Sequence, residues 1–276
     1  MWPEPRKALK YTWEVTLATN QTGKVVLVTG ASRGIGRALA RGFAGDGDNV
    51  VAFARSEKDL QEIISGDPER FLAVAGDVTS EADVDRVVTA AHQRFGRIDV
   101  LINNAGISNG GELLARPFRD WAEVIRVNLI GLALCTHRVL PGMIEQGSGR
   151  VINVVSRLAE FPWVGASAYA ASKAGVISLT RALAAEVGPP KYPDILINAL
   201  IPGPTYTEMT RQGRWDPARL QMPEVVYPHT RFLVTLPVGG PHGRIFWNSQ
   251  EYKIYSQFND PPPYPSGSDS LQGPRH

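Results

Sequence analysis

Tyr169 and Lys173 stand four residues apart in SAYAASKAG, residues 167–175. On a helix that spacing places both side chains on one face, one turn apart. A phenol can give or take a proton, but its ordinary pKa of about 10 makes it a poor base near neutrality. A neighbouring ammonium favours the phenolate and is expected to lower that pKa. The pair therefore suits general acid–base work on a hydroxyl or a carbonyl. Taken alone, the same two residues could be an aromatic and a lysine packed on a helix face.

A second set of residues belongs to different chemistry. TGASRGIG, residues 29–36, follows an apolar run and opens a helical pattern. Glycines at 30, 34 and 36 allow a tight turn, close approach of backbone to a pyrophosphate, and close helix packing. The helix start behind them offers free N–H groups to an anion. Gly30, Ser32, Arg33, Gly34, Ile35 and Gly36 are thus candidates to hold a dinucleotide. The next apolar run ends at Ala54 and Arg55, without the carboxylate that would take the two ribose hydroxyls of NAD. Arg33 and Arg55 instead suit a 2′-phosphate through charge-assisted contacts. The expected cofactor is NADP(H), unless both arginines are only solvated surface charges.

These groups need a scaffold that brings distant segments together. Short, nearly continuous apolar runs recur: KVVLVTG, NVVAFARS, FLAVAGDV, RIDVLINNAG, GRVINVVS and ILINALIPG. Runs of this kind predict strands buried on both faces, as in a parallel sheet. Helical patterns lie between them, one opening at Ser80 as N-cap and one closing at Gly188 ahead of two prolines. Alternation of this kind predicts right-handed βαβ units and one doubly wound α/β Rossmann domain with a parallel sheet of about seven strands. The last strand is expected at 244–248. PEVVYPHTRFLVTLP has a helical pattern that Pro228 interrupts. The expected divisions are an extension at 1–22, the domain at 23–258, and a Pro/Ser/Gly-rich tail at 259–276.

Bulk composition narrows the classes. With 29 Lys plus Arg against 27 Asp plus Glu, the net charge of +2 gives no reason to propose nucleic acid or a membrane as partner. One cysteine among 276 residues excludes an internal disulfide. No signal-like leader and no run of about 18 apolar residues is read, so a soluble, cytoplasmic protein is expected.

TGASRGIG, Asp77 in GDV, NNAG at 103–106, Asn128 in RVNLIG, Ser156, YAASK and Pro202–Gly203 occur in an order and spacing that resembles the short-chain dehydrogenase/reductase family, from about residue 23 to 209. The resemblance implies hydride transfer between a nicotinamide and a carbonyl or alcohol, with Tyr169 as proton donor. It gives Lys173 a second role on the nicotinamide ribose, Ser156 a hydrogen bond to the substrate oxygen, and Asn128 support of a proton-relaying water chain. It places Asp77 and Val78 beside adenine, and Asn104, Ala105 and Gly106 beside the ribose. Pro202, Gly203, Thr205 and Thr207 would pack on the nicotinamide. Asn104 could equally stabilise a strand end. The family's assembly implies a homodimer through helices 119–140 and 167–187; the C-terminal third departs from the pattern that builds a tetramer.

The loop RLAEFPWVGAS carries Arg157, Glu160, Phe161 and Trp163, which would either line a substrate pocket or meet a partner subunit. Residues 107–113, 157–166 and 204–225 should shape the pocket for a small-molecule substrate, and the last either forms an apolar lid or a plain surface flap. Two other readings stay open: a silent NADP(H)-binding scaffold or sensor of the same fold, and a related reaction such as epimerisation.

Overall fold

The structure, a computed structural model, describes residues 23–64, 67–211 and 216–254. The proposed N-terminal extension, the tail and residues 212–215 of the 204–225 segment lie outside them. The chain alternates as expected: β1 (Val25–Thr29), α1 (Gly34–Gly45), β2 (Asn49–Ala54), α2 (Glu57–Ile64), β3 (Phe71–Ala75), α3 (Glu81–Phe95) and β4 (Val100–Asn103). It continues through α4 (Phe118–Ile125), α5 (Leu132–Gln146), β5 (Ser148–Val154), α6 (Ser167–Glu186), β6 (Asp194–Ile201), α7 (Glu208–Arg211), α8 (Val226–Val234), β7 (Ile245–Trp247) and β8 (Gln250–Glu251). The strands form one sheet in the order β3-β2-β1-β4-β5-β6-β7-β8.

The unbroken apolar runs follow from burial on both faces. Along β1, Val26 and Val28 pack with Leu39 and Phe43 of α1 on one side. Val25 and Leu27 pack with Val84 and Val87 of α3 and Val139 and Met143 of α5 on the other. Each such side chain contributes about 1.5–3 kcal/mol relative to exposure, so neither face can be polar. A third cluster joins Val176 and Ile177 of α6 to Ala199 and Ile201 of β6 and to Ile245 of β7.

Seven strands are parallel, and the difference from expectation is β8, a two-residue antiparallel addition on the edge of β7. Pro228 does not interrupt α8, because it occupies the first turn, where a missing N–H costs nothing. Ser80 caps α3 as read: its hydroxyl accepts from the Asp83 N–H at 3.3 Å.

The expected helix 119–140 extends over Phe118–Gln146 and meets the length and hydropathy of a membrane span, at a mean hydropathy of 1.4. Half of that window is buried against the sheet and α3, so it serves as a core helix. Between α4 and α5 it widens into a π turn over Arg126–Gly131, with Asn128 inside. Such turns concentrate at functional positions.

Candidate active site

β1 lies between β2 and β4, so successive connections leave it toward opposite halves of the sheet and open a crevice at the strand C-termini. The crevice is a cleft of about 450 Å³. One wall is the turn from β1 into α1. Gly30 takes φ +67, and a Cβ there would lie 2.8 Å from the Ala105 Cα. A Cβ on Gly36 would lie 2.1 Å from the Gly30 carbonyl oxygen. Both close approaches demand glycine. Arg33 sits at the N-cap of α1 without a side-chain cap bond, so the first N–H groups stay available to an anion. This turn fits a dinucleotide pyrophosphate. Gly30, Ser32, Arg33, Gly34 and Ile35 line the cleft, while Gly36 stands behind them as a packing position.

The far end of the cleft is formed by Ala54, Arg55 and Ser56 after β2. Arg33 and Arg55 thus face one cleft, and Arg33 is ion-paired with Glu208 of α7. Asp59 lines the same end, a carboxylate that the sequence did not single out. Asp77 and Val78 form the floor. The Asp77 carboxylate accepts from the N–H and hydroxyl of Thr79, both at 2.8 Å. The Asp77 N–H donates to Asp83 at 2.9 Å. That bond first, and Arg86 second, hold the Asp83 carboxyl below its ordinary range.

Asn104, Ala105 and Gly106 also line the cleft, next to the glycine turn. The Asn104 amide donates to the carbonyls of Thr29 at 3.0 Å and Gly30 at 3.3 Å. Its side chain therefore clamps the β4 loop to the glycine turn, the strand-end role that sequence reasoning had left open. Pro202 and Thr207 line the cleft; Gly203 and Thr205 do not. Thr205 is buried, and its hydroxyl donates back to the Gly203 carbonyl at 3.2 Å.

Tyr169 and Lys173 both line the cleft, one turn apart on α6. The ammonium nitrogen lies 5.6 Å from the Tyr169 ring centroid and donates to the Val154 carbonyl at 2.8 Å. Burial pushes the Tyr169 phenol up to about 12, and a hydrogen bond with Ser156 offsets part of that rise. Burial pulls the Lys173 amine down to about 8. The shift runs opposite to the expected lowering: burial of the phenol outweighs the hydrogen bond with Ser156. The phenol keeps its proton through neutrality and is suited to give it away.

Ser156 lies two residues past β5, beside Tyr169, without itself lining the cleft; its hydroxyl accepts from the Leu158 N–H at 3.2 Å and caps the short turn that follows. Asn128 is fully buried behind the pair. Its amide nitrogen donates to the Ile107 carbonyl at 2.9 Å and to the Ser172 hydroxyl at 3.0 Å. Its carbonyl accepts from the Ile107 N–H at 2.8 Å. Ser172 in turn donates to the Tyr169 carbonyl at 2.7 Å. Asn128 therefore ties the cleft wall at Ile107 to the helix that carries Tyr169 and Lys173.

The loop after Ser156 takes a course the sequence did not suggest. Arg157 lies against the rings of Phe161, at 5.2 Å, and Trp247, at 4.6 Å. Glu160 accepts from the Tyr252 hydroxyl at 2.7 Å. Arg157 and Glu160 are thus engaged by Trp247 of β7 and by Tyr252 just past β8, while Phe161 and Trp163 stay partly exposed. Ser108, Asn109, Glu208 and Met209 also line the cleft, from loops that the sequence marked as pocket-forming without resolving individual residues.

The profile of the short chain dehydrogenase family matches residues 24–217. A 3-oxoacyl-[acyl-carrier-protein] reductase of Synechocystis sp. is 39% identical over 231 residues, covering 79% of this chain and 92% of that protein. A 2-(R)-hydroxypropyl-CoM dehydrogenase of Xanthobacter autotrophicus is 37% identical over 209 residues, 73% of this chain and 80% of that protein. Among solved structures, a 3-ketoacyl-(acyl-carrier-protein) reductase from Brucella melitensis complexed with NADH superposes with a TM-score of 0.77 at 30% identity, covering 83% of this chain and 97% of that one. A variant of actinorhodin polyketide ketoreductase with NADPH gives 0.76 at 30% identity, covering 83% and 96%. With the glycine turn, the Tyr169–Lys173 pair and these likenesses together, the chain belongs to the short-chain dehydrogenase family of oxidoreductases.

Proposed function

We propose that this protein is an NADP(H)-dependent carbonyl reductase, able to run in reverse as an alcohol dehydrogenase, on a small-to-medium organic ketone. The observation that carries this reading is the convergence of Tyr169 and Lys173 with the glycine turn on one cleft. Gly30, Ser32, Gly34 and Ile35 would hold the pyrophosphate, with Gly36 packing behind them. Arg33 and Arg55 would hold a 2′-phosphate, and Asp77 and Val78 would border the adenine. Asn104, Ala105, Gly106, Pro202 and Thr207 would line the path to the nicotinamide, with Gly203 and Thr205 shaping that path from behind. When bound, the nicotinamide supplies or receives the hydride. Tyr169 gives the proton to the carbonyl oxygen, Ser156 orients that oxygen, and Lys173 keeps positive charge near the forming alkoxide. Asn128 positions the helix that carries both.

Tyr169 would act as the acid in reduction and, as phenolate, as the base in alcohol oxidation. Relatives named as ketoacyl reductases make 3-oxoacyl thioesters the first substrates to screen. The protein would act in the cytoplasm, as a homodimer through helices 118–146 and 167–186. The test is Tyr169→Phe. Turnover should fall by at least about 10²-fold, the scale of a lost general acid, with NADPH affinity nearly unchanged. Full activity in that variant would refute the assignment.

A further inference from the structure

Arg33 is one of two guanidinium groups offered to a 2′-phosphate, yet it is already engaged by a carboxylate. Its partner, Glu208, opens α7 and lines the same cleft. The neighbouring Thr207 touches the turn as well: a Cβ on Gly34 would meet its methyl group at 3.2 Å. The segment after β6 is therefore seated on the glycine turn at two adjacent points. Both partners of the ion pair are about half exposed, 58% for Arg33 and 53% for Glu208. A pair this exposed is weak and exchanges readily with a ligand.

The consequence differs between the two nicotinamide cofactors. A 2′-phosphate brings about two negative charges at neutral pH, by analogy with other phosphate monoesters. To reach Arg33 it must displace Glu208 or lie beside it, and either cost falls on NADP(H) alone. NAD(H) carries a hydroxyl there, with no charge to compete.

We infer that Glu208 is a specificity-determining residue, whose carboxylate competes with the 2′-phosphate for Arg33 and limits the preference for NADP(H) over NAD(H). The inference rests on the cofactor reading above. It also connects the cofactor to the substrate side, since releasing Glu208 frees the start of α7, flanked by Tyr206 and Met209.

The test is a fluorescence binding titration of the full chain with NADPH and with NADH, for wild type, Glu208→Gln, Arg33→Ala and the double variant. Glu208→Gln should tighten NADPH by about 3- to 5-fold, the size of an exposed ion pair, and change NADH by less than about 2-fold. The gain should vanish in the Arg33→Ala background and shrink as ionic strength rises. Equal tightening of both cofactors, or a gain that survives without Arg33, overturns the competition. If wild type prefers NADPH and Glu208→Gln changes nothing, this inference fails while the cofactor reading stands. If wild type binds NADH as tightly as NADPH and Glu208→Gln restores no preference for NADPH, both fail.

Discussion

Lys173 is 3% exposed, and its charge has a measurable cost. Its pKa of about 8 against an ordinary 10.5 means that the folded state binds this proton more weakly than the unfolded chain. The penalty is complete below pH 8, on the order of 3 kcal/mol, and disappears as pH rises toward 10.5. Tyr169 has the opposite sign: its folded pKa is raised to about 12, so stability falls with pH only above about 10. Between pH 8 and 10 the lysine acts alone. Lys173→Met should therefore abolish turnover and raise the melting temperature at pH 7, with the gain narrowing by pH 10. Losing the bond to Val154 takes back about 1–2 kcal/mol. Thermal melts at the two pH values decide it; a variant less stable than wild type at pH 7 contradicts the burial argument. In turnover, kcat/KM for reduction should fall on the alkaline side with an apparent pKa of about 8, set by Lys173. A limb appearing only above pH 10 would assign it to Tyr169 instead. The pair was legible in the sequence because spacing fixes which side chains share a helix face. The direction of the tyrosine shift was not, because desolvation depends on what packs around α6.

At the level of elements, strands and most helices were readable because burial on both faces leaves an unbroken apolar run, and Ser80 marks a helix start by its own hydroxyl. The π turn was not readable: nothing in RVNLIG distinguishes it from ordinary helix, and it is held by tertiary bonds from Asn128 to Ile107 and Ser172. The bond to Ser172 is buried and the two to Ile107 are part-buried, so Asn128→Ala leaves unpaired groups in the cleft wall and on α6. We expect a loss of about 2–4 kcal/mol, seen as a lower urea midpoint at unchanged slope, with kcat reduced more than cofactor affinity. A variant with wild-type stability would mean that water replaces the amide. The C-terminal strands were the least legible. Their role depends on Arg157 lying on Trp247 and on Glu160 accepting from Tyr252, contacts across 90 and 92 residues that no local pattern announces.

Across the described residues, two surfaces bear on the proposed assembly. The long helix and the loop before it leave Leu114 97% exposed, with Phe118 at 68% and Ile130 at 56%. Large apolar side chains left exposed on one stretch of chain favour burial against a second copy. The other surface is the free edge of the sheet. An uncovered β7 would offer unpaired backbone groups to a neighbouring chain, but β8 occupies that edge with two polar, exposed residues, and Arg244 approaches Glu251 at 3.6 Å. Short charged edges discourage strand pairing between molecules. The helices should therefore form a dimer, and the sheet edge should not extend it. Light scattering on the full chain should give twice the monomer mass. Ile130→Glu combined with Phe118→Ser should shift it to the monomer, because a charge and a hydroxyl replace the groups that a partner would bury. A tetramer in the wild type would show that β8 does not block the edge. A dimer untouched by the double variant would move the interface away from helix 118–146.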